Sequence, residues 1–264
     1  MLSFILSTQE KSVNQKAIIL TGNGLPSNME ISLYPTLLNT WQSYINEMGY
    51  EKQGEEILFV PNEEAMLNNI NRVPTAKTEA QQRGIDFEDY VLNRKPCPSG
   101  PIERPVFEAQ LIIPIKRGFA NKLTGAKYAI GNDIVTIYGL IDFLGAGKIF
   151  DIKSIGRYDD VAKYADSHQL WYLANLKPYG FKEMSYVIEC QHNLYCETYK
   201  YESIDWQLLR DEVLGLIEFL KDNKLFITDK RIFTDVSNEP RFNDCFGFDK
   251  RIRETPILRV SKET

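Results

Sequence analysis

The sequence has no Cys-x-x-Cys pair: Cys97, Cys190, Cys196 and Cys245 stand apart, and only two histidines accompany them. That spacing argues against a zinc ribbon and a disulfide scaffold, so a reduced, cytoplasmic protein is expected. No apolar run is long enough to cross a bilayer, and no membrane partner is expected. The opening MLSFILS is too short, and lacks the basic start, for a secretory signal. Also missing are a Walker phosphate loop, a Gly-x-Ser-x-Gly elbow and a paired-histidine zinc motif. Internal repeats and low-complexity stretches are absent as well.

What is present is balanced. Apolar residues make up 43 % and charged residues 25 % of 264, which fits one large globular domain rather than disorder, collagen or a coiled-coil rod. The net charge of −5 runs against a nucleic-acid partner, because phosphate binding usually leaves a basic footprint. The distribution softens that objection. Lys148, Lys153, Arg157 and Lys163 fall close together, and Lys250, Arg251, Arg253, Arg259 and Lys262 crowd the end. Acidic residues such as Glu51, Glu55, Glu56, Glu63 and Glu64 lie elsewhere. A locally basic groove on an acidic protein is compatible with this arrangement.

Residues 35–48 place Leu37, Leu38, Trp41, Tyr44 and Ile45 at helical spacing. A second helix is expected from Thr78 to about Asn93, opened by a Thr78/Gln81 capping box. Pro96, Pro98, Gly100, Pro101 and Pro105 mark a loop. Strands are expected at 106–115, 134–143 and 148–154, then a helix over 159–176 stopped by Pro178 and Gly180. Two more strands at 185–190 and 194–201 precede an amphipathic helix carrying Trp206, Leu209, Val213, Leu216, Ile217 and Leu220 on one face. The order predicts a mixed α/β (α+β) fold, a mixed central sheet flanked by helices on both faces.

The stretch from Tyr138 to Ser154 carries the chemistry. Gly145-Ala146-Gly147 reads as a hairpin turn, and a two- or four-residue loop there sets Asp142 opposite Ile149. Asp151 then lies diagonally across on the same face, about 7–8 Å away, with Lys153 next along. Two carboxylates at that spacing suit one divalent cation; the alternative is a surface hairpin whose charges face water. Glu88 shares a helix face with Gly84, whose presence inside a helix suggests a close approach, and is a candidate third ligand. Gln169 and Tyr172 share a face of the later helix and could hold a phosphate or a base edge, or else serve the core. His168 points in a neighbouring direction.

Together these residues resemble the PD-(D/E)XK nuclease superfamily and its RecB-like branch. The matching motifs are Gly84-Ile-Asp-Phe87-Glu88, Gly139-Leu-Ile-Asp142, Asp151-Ile-Lys153, and Gln169-Leu-Trp-Tyr172. The last is one residue shorter than the family's Gln-x-x-x-Tyr, so either His168 or Gln169 would fill the Gln position. The resemblance covers about residues 75–200. It implies a restriction-endonuclease-like core over 75–230, with 1–74 an N-terminal helical extension packed on it and 231–264 a tail of the same domain. It further implies one or two Mg²⁺ or Mn²⁺ ions on Glu88, Asp142, Asp151 and the Ile152 carbonyl. Lys153 would orient the attacking water or stabilise the transition state. Gln169, Tyr172, His168, Arg157 and Lys163 would contact DNA. The implied activity is DNA-end processing in recombination, repair or phage replication, alone or with a helicase, recombinase or single-strand-binding partner. The other reading is a nuclease fold that binds DNA without cutting it. With only Cys245 after the final helix, the iron–sulfur cluster of some relatives is not expected.

Overall fold

The longest strand pairing joins β2 (Gly118–Ile130) to β3 (Asp133–Gly145), antiparallel over their whole length. The two-residue turn between them begins at Gly131, whose left-handed φ of 59° is what such a turn asks of its first position. In the computed structural model, which describes residues 29–47 and 62–235, this hairpin organises a seven-stranded mixed sheet. β4 (Lys148–Ile155) follows β3 through the turn Ala146–Gly147. β5 (Glu183–Cys190) runs parallel to β4, and β6 (Asn193–Lys200) closes that edge antiparallel to β5.

The other side of the sheet uses the two ends of the described chain. β1 (Met29–Leu33) lies parallel to β3, and β7 (Phe233–Asp235) pairs with β1. Segments expected as an extension and a tail therefore supply strands of the sheet itself.

Helices cover both faces, as the sequence predicts. α1 (Pro35–Glu47), α5 (Trp171–Leu176) and α6 (Trp206–Asp222) pack with one face around Ile31, Leu38, Ile137, Trp171, Tyr186 and Leu216. α6 buries the expected stripe from Leu209 to Leu220 and is capped by Asp205, which accepts from the Leu208 N–H at 3.0 Å. α3 (Glu79–Val91) and α4 (Glu103–Ile112) cover a smaller cluster on the other face, built from Phe87, Val106, Phe143, Phe150 and Ile152. The Thr78/Gln81 capping box is formed, with its two hydrogen bonds at 3.2 and 2.9 Å. α2 (Glu63–Ile70) buries Met66 and Ile70. No helix of the described residues is long and apolar enough to cross a membrane.

Two of the expected elements take another form, and β2 and α2 appear where none was expected. Residues 106–115 are not a strand: α4 occupies them to Ile112 and a 3-10 turn follows. Pro105 sits in the first helical turn, where its missing N–H costs nothing, and Val106, Ala109 and Ile113 repeat at helical spacing toward the core. The expected helix over 159–176 shrinks to α5 and a 3-10 turn at His168–Leu170. Ala162, with φ of 70°, takes the chain out of helical geometry ahead of them.

Candidate active site

The turn between β3 and β4 sets the site's register. Ala146 and Gly147 both have left-handed φ, 53° and 76°, the signature of a two-residue type I′ turn. Leu144 therefore pairs with Ile149 and Phe143 with Phe150. The expected partner of Ile149 was Asp142, so the register is two residues away from expectation. A shift of two preserves strand parity, and Asp142 and Asp151 keep a common side.

The ladder between β3 and β4 stops at Phe143–Phe150, whereas β1 pairs with β3 only at Val135–Ile137. β2 occupies the opposite edge of β3 throughout. On the edge shared by β1 and β4, residues 139–142 of β3 thus have no strand partner among the described residues. Asp142 stands at one end of this gap. Its Oδ2 accepts a hydrogen bond from the Ile152 N–H at 2.7 Å, taking the place of a strand carbonyl.

Asp151 is 4 % exposed, and its Oδ2 lies 2.5 Å from Lys153 Nζ. Burial, then the neighbouring Asp151, push the Asp142 carboxyl well above the usual range; Glu88 adds to this, and Lys153 and the Ile152 N–H oppose it. Burial alone would lower the Lys153 pKa, but the Asp151 and Asp142 carboxylates hold it above its ordinary value. Tyr172 approaches from α5. A Cβ at Gly139 would lie 2.6 Å from its hydroxyl, so glycine at that position admits the phenol to the back of β3. Burial, then Asp151 and Asp142, raise the Tyr172 pKa.

No family model matches this sequence, and no curated protein matches it. Among solved structures, the chain is similar to a protein described as a candidate exonuclease from Eubacterium rectale. They are 12 % identical with a TM-score of 0.44, over 88 % of this chain and 90 % of that one. It is also similar to a protein designated SSO0001, at 15 % identity and a TM-score of 0.39, over 81 % and 80 % of the two chains. Scheffersomyces stipitis Rai1 is 12 % identical with a TM-score of 0.32, over 74 % of this chain and 62 % of that one.

The other expected site residues divide. Glu88 is close enough to act on Asp142 electrostatically, but its carboxylate is ion-paired with Arg94. Among the described residues no three acidic, His or Cys side chains converge as a metal-binding group. Gly84 marks no close approach, since a Cβ there would meet open space. Gln169 accepts from Asn39 on α1 at 2.6 Å and from Ser167, so it ties the 3-10 turn to α1. His168 is buried with Nε2 2.8 Å from Glu212 on α6. Of the three residues expected on that stretch, the structure brings Tyr172 alone to the acid pair. Arg157 is 82 % exposed and pairs with Asp159. Lys163 reaches the Arg157 carbonyl at 3.5 Å, and its backbone N–H donates to Glu197.

Sequence reasoning missed two tyrosines. Tyr186 on β5 stands beside Asp151 in the parallel register, and Tyr164 stacks on it at 4.5 Å. Burial pushes the Tyr164 hydroxyl up to about 12, with Lys153 opposing and Asp151 reinforcing. Glu197 holds this loop through the hydroxyls of Tyr158 and Tyr199 and the N–H groups of Lys163 and Tyr164. Burial raises its pKa, but those four donors bring it below the usual range. The visible signal was a recurrence of tyrosine at 158, 164, 186, 195 and 199 without a period.

The donor set fits a hard divalent cation. Asp142 and Asp151 offer carboxylate oxygens, and Mg²⁺ is commonly held by one or two carboxylates completed by water and substrate phosphate. An imidazole or thiolate set of the zinc type is not assembled among the described residues.

Proposed function

We propose that this chain is a divalent-metal-dependent nuclease of the PD-(D/E)XK type, RecB-like in the order of its motifs. It hydrolyses phosphodiester bonds of DNA, acting on ends in recombination, repair or phage replication. The observation that carries the reading is the meeting of Asp142, Asp151 and Lys153 at the unpaired edge of β3.

Asp142 and Asp151 would hold Mg²⁺ or Mn²⁺, which when bound acidifies a water and offsets phosphate charge. The chain's own groups then have distinct tasks. Lys153 stays protonated between two carboxylates, and its ammonium stabilises negative charge gathering on the phosphate oxygens. The Ile152 N–H fixes one oxygen of Asp142 and so orients its carboxylate. Tyr172 is itself buried and packs behind the site against Gly139 of β3.

The test is digestion of linear and circular, single- and double-stranded DNA with Mg²⁺ or Mn²⁺, beside EDTA and Lys153→Ala controls. Metal-dependent breakdown that falls at least about 100-fold in the variant is the expected result. Equal inertness of both proteins on all four substrates, with no metal binding by calorimetry, would sink the catalytic reading. The pairing of Glu88 with Arg94 favours a second reading, a nuclease fold that binds DNA without cutting. Retained DNA binding without digestion would select it.

A further inference from the structure

Asn121 on β2 stands opposite Asp142, between the pairs Ala120–Phe143 and Lys122–Ile141. Its φ of 52° is left-handed, a conformation Asn adopts more cheaply than most residues. Side chains three apart in a regular strand point to opposite faces. The left-handed residue undoes that alternation, and Lys122 Nζ lies 4.9 Å from the centre of the Phe119 ring. Phe119 is 62 % exposed and pairs with Leu144, two residues from Asp142. Its backbone is therefore a diagonal neighbour of Asp142, about 7–8 Å away.

The approach to this spot is basic and apolar. Lys116 and Arg117 occupy the exposed 3-10 turn that leads into β2. Among the described residues, Lys116, Arg117 and Lys122 have no carboxylate partner. Beside them, the end of α4 exposes Leu111 over a pocket of about 380 Å³ that Lys116 and Arg117 also line.

We propose that this surface is the track along which a single strand of nucleic acid enters the acid pair. A base stacks on Phe119, Lys122 and Arg117 take flanking phosphates, and the next phosphodiester reaches Asp142 and Asp151. The inference rests on the nuclease reading and adds the form of the substrate. Three cations without a carboxylate partner among the described residues, on a chain of net charge −5, complement a polyanion. An exposed aromatic among cations is the arrangement that holds single strands, because unpaired bases offer their faces for stacking. A duplex keeps those faces inside its own stack.

The experiment uses the full chain in EDTA, where nothing is cleaved, and follows the anisotropy of a fluorescein-labelled oligothymidine and of a hairpin duplex. Phe119→Ala should weaken single-strand binding about tenfold while leaving the duplex nearly unchanged, and Phe119→Tyr should restore it. Lys122→Ala should lower the slope of log affinity against log salt by about 0.7. Circular dichroism melts establish that each variant is folded. A folded Phe119→Ala chain that binds the single strand like wild type overturns the track. If wild type nevertheless digests DNA, only this inference falls; if wild type neither binds nor digests it, the nuclease reading falls too. A variant that keeps its oligonucleotide affinity but loses a self-association seen in wild-type sedimentation would assign the surface to a protein contact, and that also overturns the proposal.

Discussion

At the scale of single residues, the crowding of Asp142 has a pH signature. A carboxyl whose pKa is raised in the folded state keeps a proton that the unfolded chain has already released. The metal-free fold therefore loses stability as pH rises from the ordinary carboxyl value toward the raised one. Asp142→Asn removes that liability, so its melting temperature in EDTA should gain on wild type as pH rises. A difference constant across the pH range would contradict this account. Gly139→Ala tests the other side of the pair. The added Cβ meets the Tyr172 hydroxyl at 2.6 Å and should cost about 1–3 kcal/mol in chemical denaturation. Asp142, Asp151 and Lys153 were legible in the sequence because their grouping depends on one local hairpin. The surroundings of Gln169 and His168 were not, since Asn39 and Glu212 reach them from α1 and α6.

At the scale of elements, the turn joining β3 to β4 governs how the two carboxylates meet. Ala146 holds a left-handed φ of 53° that a Cβ makes costly. Ala146→Asn would supply the Asn-Gly sequence that type I′ turns favour, and should raise stability by up to about 1 kcal/mol. Denaturant midpoints would show it, and an unchanged or lower midpoint would mean that the turn is not strained. Sequence patterning located this hairpin but set its tip one residue early, because Gly145-Ala146-Gly147 offers two glycines and only backbone pairing chooses between them. The same limit explains α4. The stretch from Val106 to Ile113, apolar but for Glu108 and Gln110, is too short for periodicity to separate strand from helix, and its docking beneath α3 decides. β2 was missed for a different reason. Its glycines, lysines and asparagine have weak strand preference, and the long pairing with β3 supplies what propensity lacks.

At the scale of the whole molecule, β1 sits between strands that come from distant parts of the chain. Ile31 pairs with Val135, and Met29 with Asp235. Local pattern alone could not place β1, since a short strand gains its identity from such partners. The acid pair, by contrast, belongs to the β2–β3–β4 meander, whose contacts are close in sequence. Contacts that enclose long loops carry the larger closure entropy and form late. The meander would then be assembled while β1 and β7 are still seeking their places. Native-state amide exchange should rank the molecule accordingly, with β1 and β7 opening at lower free energy than β3 and β4. A chain shaped this way builds its chemistry first and closes its sheet last.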